Sequence, residues 1–102
     1  MITETLLDEV KRKCYITDNS DLTNKRLNDI VKTALVKVKR MIGVSPDFDF
    51  EEEGNEEELE LFKNYCWYAW NDVTNEFNTN YLEDIHSLHS KHEVDQYEEE
   101  IE

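Results

Sequence analysis

The chain has 102 residues with 25 acidic and 11 basic side chains, a formal net charge of −14 and a pI near 4.5, which fits a single domain with one modest core. Residues 1–45 hold nine basic and six acidic groups (net +3), while residues 46–102 hold two basic and nineteen acidic groups (net −17). So acidic a chain is repelled by nucleic acid and anionic membranes unless its basic half faces them alone, whereas copies of it packed front to back gain complementary faces.

Two glycines and one proline are too little punctuation for a many-turned β protein, so the expected class is all-α: a small bundle of about four helices with a long acidic loop and a flexible acidic C-terminal tail. No apolar run approaches the ~20 residues of a membrane span. Cys14 and Cys66 stand in unrelated contexts with no apolar leader before Thr3, which points to a cytoplasmic chain without a disulfide scaffold.

Thr3 is placed to cap a first helix carrying Leu6, Leu7 and Val10, with Lys11, Arg12 and Lys13 at its negative end. The polar cluster Thr17-Asp18-Asn19-Ser20-Asp21 predicts a turn and a second helix starting near Ser20 or Asp21. Leu27, Ile30, Val31, Ala34, Leu35, Val38, Met41 and Ile42 then recur at spacings of three and four, and Gly43 and Pro46 stop the helix. On its other side Lys25, Lys32 and Lys39 repeat every seven residues with Arg40 nearby, a basic ridge that is either a solvated face or a subunit interface.

Residues 44–55 read as a loop in which Phe48 and Phe50 alternate with acids and could pin it to the core or to a neighbour. Its carboxylates miss the register of a calcium-binding loop. A third helix is predicted from about Glu56 to Phe77, opened by three glutamates at the positive end of its dipole. Leu59, Phe62, Cys66, Ala69, Trp70, Val73 and Phe77 form one stripe and Leu61, Tyr65 and Tyr68 a second, with Trp67 displaced from both. Such a helix wants two partners, so the second band meets either a fourth helix or an adjacent subunit. Asn78 could cap a fourth helix carrying Tyr81, Ile85 and Leu88. The sequence divides into a helical domain over residues 1–92 and a docking tail over 93–102, where isolated apolar residues sit in an acidic run.

His86, His89 and His92 spread over about 120° of helix surface; two of them could share a metal with Glu93, while three meet only in poor geometry. Helix-surface histidines are the preferred reading, and no metal or cofactor is expected. Cys66 lies on an apolar stripe and Cys14 follows a basic run without an evident base, and no nucleophile–base pair or phosphate loop is present, so an enzyme is not expected.

The order of these features resembles the small head-tail connector (head completion, or adaptor) proteins of long-tailed bacteriophages. The resemblance runs over about residues 3 to 90. It is carried by Asp8-Glu9-Val10-Lys11 ending a short first helix, by Leu27-Asn28-Asp29-Ile30-Val31 early in the second, by the aromatic run Leu61-Phe62-Lys63-Asn64-Tyr65-Cys66-Trp67-Tyr68, and by residues 71–85 from Asn71 to Ile85. It implies a ring, expected twelve-fold, beneath the portal of a DNA-filled capsid, made in the host cytoplasm and located in the neck of the virion. The ring would extend the DNA exit channel and provide the platform for the stopper or tail-completion protein, with DNA passing through the lumen unbound. Under that reading Lys25, Lys32, Lys39, Arg40, Leu61, Tyr65, Trp67 and Tyr68 are candidate subunit-interface residues. Glu93, Val94, Tyr97 and Ile101 would dock on the portal. The alternative is an acidic mimic of DNA that occupies a nucleic-acid-binding protein; a metal-dependent enzyme using His86, His89 and Glu93 is a third.

Overall fold

The structure, a computed structural model, describes residues 2–101, with side chains over residues 2–94. All regular elements among the described residues are helical: α1 (Glu4–Lys13), α2 (Asp21–Ile42), α3 (Glu56–Trp70), a 3₁₀ turn (Thr74–Glu76), the single-turn α4 (Phe77–Asn80) and α5 (Leu82–Ile101). None of the described helices is long and apolar enough to cross a membrane.

The helix ends follow local chemistry. Thr3 Oγ1 accepts from the Leu6 amide, and Ser20 Oγ accepts from the Thr23 amide, so each satisfies a donor that the first helical turn leaves open. Gly43 closes α2 at φ +70°, the left-handed conformation that suits glycine. A Cβ there would stand 3.0 Å from Nε2 of His89 on α5. Gly43→Ala is therefore expected to cost about 1 kcal/mol for the left-handed backbone, and more if the His89 ring must move. Thermal unfolding should register this as a Tm lower by roughly 4–8 °C.

α2 runs antiparallel to α3, since Arg26 near its start donates to the Trp70 carbonyl at the end of α3 (2.6 Å). α5 is also antiparallel to α3: Tyr81, just before it, packs on Tyr68, while Lys91 and His92 reach back to Glu58. α1 lies along α3, with Lys13 paired to Glu60 at 3.3 Å. The core between them is built from Leu6 and Val10 of α1, Leu27, Val31, Ala34, Val38 and Ile42 of α2, Leu61, Phe62, Tyr65 and Cys66 of α3, and Phe77 and Leu88 beyond. The stripe predicted on α2 is the buried one.

Two expectations change. α3 ends at Trp70 rather than near Phe77: Asn71 Nδ2 donates to the Trp67 carbonyl, and Asp72 takes a left-handed conformation (φ 59°), which short polar side chains tolerate better than most. Asn78 lies inside α4 and makes no cap; a hydrogen bond to α3 comes from Asn80, whose Nδ2 donates to the Tyr68 hydroxyl at 2.9 Å. α5 extends to Ile101, and residue 93 lies within it.

Candidate interaction surface

The loop over residues 44–55 is held from inside. Phe50 is buried and stacks on Phe62 with ring centroids 4.9 Å apart, and Phe48 meets Phe50 edge-on at 5.1 Å and His92 at 5.3 Å. Of the two roles open to these phenylalanines, both take the core.

The aromatic band of α3 is also largely used internally. Leu61 and Tyr65 are each 4% exposed, and Tyr65 meets Phe77 of α4 edge-on at 5.0 Å. These two side chains, expected at a subunit interface, have no surface to offer a neighbour: the later helices of the same chain cover the second band. Trp67 and Tyr68 are half-buried and keep an outward edge. The reason is that α3 packs on two sides at once, so its two bands merge into one broad buried face centred between them.

At the centre of that face sits one of the three glutamates of the first turn of α3. Glu58 is 0% exposed. Its Oε2 accepts from Lys91 Nζ at 3.0 Å and from His92 Nε2 at 2.6 Å, while Oε1 is buried with no hydrogen-bond partner among the described residues. Burial disfavours the Glu58 charge, but the Lys91 hydrogen bond, its own backbone N–H and the His92 hydrogen bond together outweigh it and hold the carboxyl below its usual range. An ionised carboxylate only accepts, so His92 Nε2 carries the proton of the 2.6 Å contact. The phase was legible: Glu58 precedes Phe62 by four residues and Cys66 by eight, which puts it on their face.

The three histidines diverge. His92 goes to Glu58, His89 lies against Gly43 with Nδ1 3.7 Å from Glu93, and His86 is exposed. Among the described residues no group of three or more His, Cys, Asp or Glu is placed to hold a metal ion. Burial pushes the Cys14 thiol up to about 11, and burial first, with Cys14 adding to it, raises Cys66 further. Both thiols are therefore un-ionised at neutral pH and have little nucleophilic character.

The basic ridge keeps its outward position. Lys25, Lys32 and Arg40 are exposed, as is Lys37, and none of the four forms an ion pair among the described residues. Lys39 differs, since its Nζ donates to the Pro46 carbonyl at 2.7 Å and fastens the loop to α2. At the start of α2, Arg26 lies 4.1 Å over the Trp70 ring and 3.9 Å from Asp72.

Opposite in charge is a groove of about 290 Å³ between α3 and α5, with Leu61 and Leu88 below and Glu57, Glu60 and Asp84 around it. Glu60 is neutralised by Lys13 and Lys63, both at 3.3 Å, whereas Glu57 and Asp84 form no ion pair among the described residues. Burial, then the neighbouring Tyr68 and Asp84, raises the pKa of the Tyr81 hydroxyl that also lines this groove. Of the expected docking residues, Glu93 and Val94 are exposed on α5, Val94 by 55%; the side chains of Tyr97 and Ile101 lie outside the described residues. No family model, curated protein or solved structure matches the chain.

Proposed function

We propose that this chain is a structural head-tail connector of a long-tailed bacteriophage, assembling as a ring beneath the portal in the neck of the virion. The observation that carries the reading is the row of exposed cations on α2, unpaired among the described residues, in a chain of net charge −14. Among the described residues those cations form no ion pair despite the chain's many carboxylates, which suits a subunit whose partners are other subunits. In the ring, twelve copies would extend the DNA exit channel. Carboxylates left facing the lumen would repel DNA and let it pass without binding. The end of α5, with Glu93, Val94, Tyr97 and Ile101, would contact the portal, and the opposite face would receive the stopper or tail-completion protein.

The test is mass by light scattering on the purified protein, alone and mixed with a portal from the same genome, at low and moderate salt. A species that joins the portal supports the connector. A discrete small species that ignores the portal and binds a basic nucleic-acid enzyme supports the alternative, an acidic mimic of DNA.

A further inference from the structure

The outer face of α2 carries more than charge. Leu22 is 81% and Val36 49% exposed, and with Asp29 between them they lie on one line, because residues seven apart on a helix fall within about 20° of each other. At 1.5 Å per residue, the two apolar side chains are about 21 Å apart along the helix. Lys25 and Lys32 flank this line on one side, three residues after Leu22 and Asp29, and Arg40 continues it beyond Val36. Two exposed apolar anchors beside unpaired cations make a face that gains on meeting an apolar surface edged with carboxylates. The same chain supplies one: the groove between α3 and α5, where the half-buried Tyr81 borders Glu57 and Asp84, which form no ion pair among the described residues, above the buried Leu61 and Leu88.

We propose that the outer face of α2 seats in the α3–α5 groove of a second copy, Lys25 and Lys32 reaching Glu57 and Asp84. The two surfaces lie on different parts of the subunit, so the contact is head-to-tail and repeats from copy to copy, closing into a ring or running on as a filament. The inference rests on the reading of the chain as a self-assembling subunit and names the two faces through which it assembles. Lysine suits the position, since its aliphatic stem can lie along the Tyr81 ring while its ammonium reaches the carboxylates.

A reciprocal charge swap tests it. Lys25→Glu/Lys32→Glu makes both faces acidic, and Glu57→Lys/Asp84→Lys makes both basic. Sedimentation of the full-length proteins near neutral pH should find wild type associating at low salt and dissociating as salt screens the contact. Each double variant alone should associate at least about tenfold more weakly, because like charges then oppose each other. An equimolar mixture should recover assembly, since either variant's α2 then meets a groove of opposite sign. Circular dichroism monitors folding; if a reversal variant loses its helix content, Lys25→Gln/Lys32→Gln and Glu57→Gln/Asp84→Asn replace the pair. Each alone must then weaken association, and their mixture must recover pairs but no larger species, because the lysines kept by one variant meet the carboxylates kept by the other while the two remaining faces are neutral. Wild type that stays monomeric at every salt, variants that assemble like wild type, or reversal variants whose mixture stays dissociated would each overturn the proposal. Portal binding is scored separately: capture of single, non-associating copies would remove this interface while leaving the connector reading standing.

Discussion

Phe77→Ala should lower the stability of the fold by about 3–5 kcal/mol, the usual cost of emptying a fully buried phenylalanine site. Phe77 is 0% exposed. It stacks on Tyr81 with centroids 4.7 Å apart and meets Tyr65 and Tyr68 edge-on at 5.0 and 5.4 Å. Through these rings the one-turn α4 joins α3 to the start of α5, and few other buried side chains lie in that stretch of chain to hold it. A domain of this size has on the order of 5–15 kcal/mol in total, so the variant should unfold at least about 12 °C below wild type. It should also expose Leu61 and Tyr65 and bind a hydrophobic dye before it melts. Phe77→Leu retains most of the apolar volume and should cost only about 1 kcal/mol. A Phe77→Ala protein that melts within about 4 °C of wild type would show that α3 and α5 are joined by other contacts.

What the sequence made legible was the local part of this architecture. The caps Thr3 and Ser20, the left-handed Gly43 and the buried stripe of α2 each depend on neighbours within one or two helical turns. The outward position of Lys25 and Lys32 follows from the same periodicity, since they lie opposite Leu27, Val31 and Val38. α3 was harder for a physical reason: it is covered from two sides, so the apolar stripe that looked principal and the band that looked spare both turn inward, and their centre falls on Glu58, Phe62 and Tyr65. The early end of α3 comes from Asp72 in a left-handed conformation, which no glycine or proline marks. Lys39 belongs by spacing to the basic row, yet a loop that folds back to bring the Pro46 carbonyl within reach takes it away. Long-range contacts of that kind leave no periodic trace.

Glu58→Gln should be the most damaging polar substitution in the chain and should change how stability depends on pH. Glu58 holds two groups of α5 at once, Lys91 and His92, while His92 also lies edge-on to Phe48 of the loop. The amide keeps the shape but removes the charge and an acceptor, weakening both contacts at a buried position, for a cost of about 2 kcal/mol. The upper range for breaking buried ion pairs does not apply, because the Lys91 side chain is 44% exposed and screened by water. The carboxyl's folded pKa lies below its ordinary value of 4.5. Between the two values the unfolded chain binds more protons, so stability rises with pH there. The contribution is fully present above about pH 4.5 and is lost as pH falls through the folded pKa. Asp18 and Glu60 are also lowered and add to the acid loss, so the informative quantity is the difference between wild type and variant. Urea unfolding followed by circular dichroism at several pH values should find a gap of about 2 kcal/mol at neutral pH that narrows below pH 4.5 as wild type loses its Glu58 charge. Parallel curves across the whole range would mean that the carboxylate contributes shape alone and that α5 is held against α3 by Leu88 and its apolar neighbours.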